Sequence, residues 1–182
     1  MKKYELTEET KVISGKTLFR IRALRSFGDI KAGDLGGFIE NERNLSHGGN
    51  AWVGDNAQVG GNAEVYGDAQ VVGYARVGGY ARVGGYARVD GDAWVGGYAR
   101  VNGDGLINSN NDYLCEQGLG SRNRSASFFK CKDGHIHVLC GCFSGNLDEF
   151  ENKVKEEHGN SKYSKEYLGF IEVVKTHFEV RQ

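Results

Sequence analysis

The 182-residue chain contains no proline, one methionine and two tryptophans. Missing proline beside 28 glycines, about twice the usual glycine share of roughly 7%, excludes collagen, proline-rich linkers and most low-complexity disorder. An excess of charge is also missing. With 23 Lys and Arg against 24 Asp and Glu the net charge is -1, so no global field draws in nucleic acid or a membrane surface. Neither is expected as a partner. The opening MKKYELTEETKV has no signal-peptide core, and no run approaches the roughly 18 apolar residues of a spanning helix. The four cysteines all lie beyond position 114, which predicts a reduced, cytoplasmic protein.

What is present divides the chain into three. Residues 1–50 carry nine basic and seven acidic side chains, 51–108 only four and six, and 109–182 ten and eleven. The middle third repeats with a period of six. Ala51, Ala57, Ala63 and so on to Ala99 keep the step, with Gly105 in the tenth place, and Val53 to Val101 keep it too, followed by Ile107. Glycine stands two places after each valine from Gly61 to Gly103. Helices repeat near 3.6 and simple strands near 2, so this period fits a short strand and a turn, repeated. Glycine at the turn accepts positive φ without steric cost.

Repeats of this kind mark a solenoid, in which each coil buries its apolar edge against the next. The valine–alanine hexads, Val53 with Ala57 through Val101 with Gly105, resemble the hexapeptide repeat of left-handed parallel β-helices. That resemblance implies triangular coils of three hexads, 18 residues each, and four to five coils are expected. The fold expected is mainly β: an N-terminal β-hairpin cap with an irregular lead-in coil (1–44), a left-handed β-helix (45–108) and a small ββαα domain (112–182).

Stacking residues 18 apart places Glu64 beside Arg82 and Arg100, Gln58 beside Arg76 and Trp94, and Tyr80 beside Tyr98. Tyr, Trp and Arg are enriched at interfaces. Tyr80, Tyr98, Arg82, Arg100 and Trp94 are therefore the expected contacts of a homo-oligomer, with a three-fold assembly preferred.

On either side of the repeat the pattern changes. Val12-Ile13 and Thr17 to Leu24 read as a hairpin about Ser14-Gly15-Lys16. Ser125 to Cys131 and Gly134 to Phe143 read as two strands joined at Asp133-Gly134. Helices fit Leu147 to His158, capped by Asn146 with Glu149 and stopped at Gly159, and Ser161 to Phe178, with Tyr163, Tyr167, Phe170, Ile171, Val174 and Phe178 on one side.

The chemistry candidates lie beyond the repeat. Glycines 118 and 120 expose backbone N–H groups beside Ser121, Arg122 and Arg124, a set suited to anionic oxygens. Gly120, Ser121, Arg122 and Arg124 are the expected ligand contacts, with Lys132 and His137 as outer members. The run lacks the Gly-Lys-Ser/Thr ending of a P-loop. Cys131, Cys140 and Cys142, with His135 and His137, are the alternative as zinc ligands. Strand parity puts Cys140 and Cys142 with Ile136 and Val138, opposite His135, His137 and Leu139, so no metal and no cofactor is expected. A nucleophilic pair drawn from Cys142 and His158 or His177 has no orienting acid beside it.

Left-handed β-helix proteins include acyltransferases that use a histidine between subunits, carbonic anhydrase-like proteins with three histidines around a metal, and structural proteins. The first resemblance would give His47 the role of base. The repeat carries no insertion of the kind that projects from such enzymes, and one nearby histidine does not make a set of three. The whole chain also resembles uncharacterised bacteriophage and prophage proteins, through Thr17 to Ile21, Gly33 to Ile39 and Asn44-Leu45-Ser46, and through Gly120-Ser121-Arg122, Cys140 to Phe143 and Tyr163 to Phe178. That resemblance implies an accessory factor in the host cytoplasm. The expectation is a non-enzymatic homotrimer presenting sites for a small anionic, nucleotide-like ligand or a host protein. A purely structural module and an acyltransferase-like enzyme are the alternatives.

Overall fold

The computed structural model describes residues 2–179. Strands β1 (Tyr4–Ile13) and β2 (Lys16–Ala23) pair antiparallel about a turn with left-handed Ser14 and Gly15, and β3 (Leu35–Ile39) pairs antiparallel with β2. The hairpin thus begins eight residues before Val12. Ten two-residue strands follow: β4 (Trp52–Val53), β5 (Gln58–Val59), β6 (Glu64–Val65), β7 (Gln70–Val71) and β8 (Arg76–Val77). The series continues with β9 (Arg82–Val83), β10 (Arg88–Val89), β11 (Trp94–Val95), β12 (Arg100–Val101) and β13 (Leu106–Ile107).

Each short strand pairs in parallel with the strand three places on, which makes a parallel β-solenoid of about four turns. The three walls are β5-β8-β11, continuous with β1-β2-β3, then β4-β7-β10-β13, and β6-β9-β12. The register sets Glu64 against Arg82 and Arg82 against Arg100, Gln58 against Arg76 and Arg76 against Trp94, and Trp52 against Gln70 and Gln70 against Arg88. Backbone bonds run from turn to turn, such as Arg76 N–H to Ala93 O at 2.8 Å.

The interior explains the repeat. Every alanine from Ala51 to Ala99, and every valine of the six-residue step from Val53 to Val101, is buried. Each buried valine contributes on the order of 1.5–3 kcal/mol, and alanine beside it keeps the coil narrow. Asp55 occupies the place that glycine holds in later coils, at φ 51, and its carboxylate accepts the Gly73 N–H at 3.0 Å. Aspartate visits this region more readily than other side chains. Gly105 replaces the tenth alanine for a packing reason: a Cβ there would stand 2.6 Å from Val101 Cγ1 and 3.0 Å from the Phe129 ring, which enters from the following sheet.

That sheet has four antiparallel strands, β14 (Tyr113–Leu119), β15 (Arg124–Lys130), β16 (Ile136–Cys140) and β17 (Phe143–Asn146), not the two expected. The run from Gly134 to Phe143 breaks at Gly141, left-handed at φ 60, so that Gly141-Cys142 becomes a two-residue hairpin turn with Cys140 opposite Phe143. The half-exposed β14 was hidden because Glu116-Gln117-Gly118 reads as linker, and its ladder shifts register there. Helices α1 (Leu147–His158) and α2 (Lys162–His177) fall where the caps predict. Asn146 and Glu149 form the reciprocal cap of α1, each accepting the other's backbone N–H at 2.8 Å. Lys175 joins the helices by meeting Glu151 at 2.9 Å.

The buried side chains form two clusters. One runs along the solenoid and ends on Phe129, Cys131 and Leu139; the other packs Phe128, Val138, Phe150, Tyr167 and Ile171 between the sheet and both helices. Strand parity creates this division, since Phe128 and Phe129 point to opposite faces of β15.

Candidate functional site

The β14–β15 turn forms one wall of a cleft of about 590 Å³. Two left-handed residues, Gly120 at φ 68 and Asn123 at φ 46, fold the turn tightly, with Asn123 N–H donating to Gly120 O at 3.2 Å. Glycine is required at 120 for a second reason: an added Cβ would collide with the Tyr167 hydroxyl. Ser121, Arg122 and Arg124 line the cleft beside the Gly141-Cys142 turn, and α1 contributes Lys153 and His158 opposite. Its floor is aromatic, from Phe143, Phe150 and Tyr167.

Three of these groups are tied together. The His158 ring stacks on Tyr167 with centroids 5.6 Å apart. The Cys140 thiol donates to the Tyr167 hydroxyl at 3.9 Å, and that hydroxyl donates to Leu119 O at 3.5 Å. Burial, followed by the Cys140 thiol, pushes the Tyr167 phenol up to about 12, and burial likewise raises the Cys140 thiol. Both therefore stay protonated near neutral pH and act as neutral donors. Lys153 pairs with Glu157 at 3.2 Å on the rim, leaving Arg122 and Arg124 as the basic groups of this wall.

Of the residues expected to contact a ligand, Ser121, Arg122 and Arg124 meet at this cleft, with Gly120 immediately behind them. Lys132 and His137 do not, because they lie at the opposite end of the β15–β16 hairpin. Lys153 and Tyr167 were not expected at a site, and His158 was expected only as a partner of Cys142. They belong to helices that carry no motif, and only the amphipathic stripe of α2 marked Tyr167 as inward. Cys142 and His158 do reach the same cleft, but no hydrogen bond joins them among the described residues.

The three cysteines considered as ligands also separate. Cys140 and Cys142 line the arginine cleft, while Cys131 lies with His135 and His137, their donor atoms all within 4.8 Å of one another. Parity along β16 holds Cys140 away from both histidines. Parity across the hairpin brings Cys131 to them: Phe129 pairs with His137, and Cys131 N–H donates to His135 O at 2.9 Å. Parity along one strand does not reveal a neighbour supplied by the next. Burial, then Asp133 and Asp104, push the Cys131 thiol up to about 11, and burial lowers His137.

On the solenoid, Tyr80 and Tyr98 stack with centroids 5.0 Å apart and planes 4° from parallel, and both are exposed, as is Trp94. Arg82 meets Glu64 at 3.1 Å and lies over the Tyr66 ring. Arg100 is drawn inward instead, donating to Gly141 O at 3.2 Å. His47 is held at the other end, stacked on Tyr4 at 4.4 Å and accepting the Lys3 N–H at 3.2 Å through Nδ1. Among the described residues no helix is long and apolar enough to cross a membrane. Comparison with protein-family models and with curated proteins finds no match for this chain.

Proposed function

We propose that the protein is a non-enzymatic binding module whose arginine cleft takes a small anionic, nucleotide-like ligand. The supporting observation is the convergence of Ser121, Arg122 and Arg124 with His158 and an aromatic floor in one cleft of about 590 Å³. Guanidinium groups bind phosphate or carboxylate oxygens in pairs of charge-assisted hydrogen bonds, and the stacked His158–Tyr167 pair supplies an aromatic surface beside them. Nothing in the cleft is arranged as an activated nucleophile, which favours binding over turnover.

The solenoid completes this reading as a scaffold. It is a left-handed β-helix of triangular 18-residue coils, closed at its first coil by the β1–β3 segment. It assembles as a homotrimer through the exposed Tyr80–Tyr98 stack and Trp94. Its setting is that of a phage accessory protein acting in the host cytoplasm. The exposed Tyr80–Tyr98 stack and the exposed Trp94 support the assembly.

The test is native mass spectrometry of the full chain after exposure to a host lysate, followed by titration with nucleoside diphosphates and inorganic phosphate. A trimer that retains a small anion is expected, with affinity at least tenfold weaker in Arg122→Ala, since a charge-assisted hydrogen bond contributes about 1.5–3 kcal/mol. An unliganded protein that also ignores both probes, or binding unchanged in Arg122→Ala, would overturn the cleft assignment.

A further inference from the structure

A second constellation lies at the other end of the β15–β16 hairpin, where the C-terminal sheet meets the last solenoid coil. Cys131 forms a bridge to Gly105 of that coil, and Lys132 N–H donates to Asp104 O at 3.2 Å. The tight Asp133-Gly134 turn, with Gly134 at φ 88, folds His135 back over Cys131 and sets His137 one strand-repeat further along the same face. The one sulfur and two imidazole donors then lie within 4.8 Å of one another. They border a cavity of about 800 Å³ whose walls carry Asp104, Asp133 and Glu149.

We propose that Cys131, His135 and His137 form a zinc(II) site with three protein ligands and a fourth position opening onto this cavity. One thiolate and two imidazoles are the borderline-soft donors that zinc selects, whereas magnesium and calcium require oxygen. Tetrahedral coordination at about 2.0–2.3 Å needs three donors grouped in this way, and the exposed His135 side chain is already held beside the cluster by Asp133. An outer shell is already in place. Asp133 Oδ1 lies 2.5 Å from Nδ1 of His135, and Ser144 Oγ lies 2.9 Å from Nε2 of His137. Such partners fix the tautomer and orientation of ligating imidazoles. The carboxylates around the cavity favour a cation over an anion, the opposite of the arginine cleft. The open fourth position would hold water or a donor atom of a small ligand, as three-ligand zinc sites do.

The full-length, tag-free chain, stripped with chelator, would be titrated with zinc(II) and with cobalt(II) alone. One zinc per chain is expected, and the cobalt form should show the near-ultraviolet thiolate-to-metal charge-transfer band of a single cysteine ligand. His135→Ala removes an exposed side chain, leaves the core intact and should weaken zinc binding at least tenfold. Cys131→Ser should abolish the charge-transfer band, while Cys142→Ser, in the other cleft, should retain it. Absence of stoichiometric metal, zinc affinity unchanged in His135→Ala, or a band that survives Cys131→Ser would overturn the assignment. Retained anion binding in metal-free protein would show that the arginine cleft stands independently of this site.

Discussion

Between Trp52 and Ile107 the chain repeats one structural solution ten times; between Tyr113 and His177 it uses four strands and two helices that share no repeat. Between Val53 and Val101 the repeat fills the solenoid interior with valine and alanine, which offer no titratable or nucleophilic group. The C-terminal region builds its core from larger and unlike side chains, among them Phe128, Phe150, Tyr167 and Ile171. Unlike shapes leave clefts where three elements meet, and both constellations of polar side chains sit in such places. Uniform packing gives a stiff scaffold, and irregular packing gives sites.

Phe129 joins the two regions and is the residue most able to separate them. It belongs to β15, yet its ring caps the solenoid interior where Gly105 makes room for it. Phe129→Ala should cost about 3–5 kcal/mol, the usual range for a buried phenylalanine. The larger consequence is for cooperativity. Calorimetry should resolve one transition in the wild type and two in the variant, one for each region. A single transition merely shifted to lower temperature would show that the backbone bridge from Gly105 to Cys131 suffices to couple them.

The contrast also sharpens at glycine. Gly103 in the solenoid and Gly120 in the C-terminal region have similar left-handed backbones, at φ 58 and 68. A Cβ at Gly103 would meet nothing within 4 Å, whereas one at Gly120 would strike Tyr167. Gly103→Ala should therefore cost only the backbone strain of about 1–2 kcal/mol. Gly120→Ala adds displacement of a packed ring and should reach about 2–3 kcal/mol. Urea midpoints at unchanged slope would measure the difference. Equal costs would mean that Tyr167 is loosely held and that the aromatic floor of the cleft is not preformed.

These differences explain what could be read in advance. The solenoid was legible because one requirement, a small residue beside an aliphatic one at every turn, is written ten times over, and chance variation at one position, such as Asp55, cannot hide it. Helix α1 was legible from its caps and α2 from its apolar stripe. The extra strands β14 and β17 were not, because an exposed edge strand carries little apolar alternation and a glycine hairpin at Gly141 splits what looks continuous. For the sites, Ser121, Arg122 and Arg124 could be named together since they adjoin in sequence. Cys131, His135 and His137 were named among five candidate metal ligands, but which of the five converge depends on hairpin register, and Tyr167 reaches the cleft only through packing of α2.

At the first coil the solenoid departs from its own rule, since the ammonium of Lys3 is fully buried and donates to Ala51 O at 2.6 Å. Burial, followed by repulsion from Arg25, lowers its pKa from the ordinary 10.5 to about 8, with Asp68 opposing. Between pH 8 and 10.5 the unfolded chain holds a proton that the folded chain has released, so this group adds stability as the pH rises. Tyr4 and Cys131 act in the opposite sense. Their pKa values are raised in the folded protein, mainly by burial, so the folded chain keeps protons that the unfolded chain loses in alkali. The Lys3 contribution is isolated as a difference between wild type and Lys3→Met, in which the other groups cancel. That difference should move in favour of the wild type by about 3 kcal/mol from pH 7 to 10.5. A flat difference across this range would mean that the lysine keeps its proton throughout, its charge balanced by the Ala51 and Gly49 carbonyls and by Asp68, and that this end of the solenoid is as indifferent to pH as its valine interior.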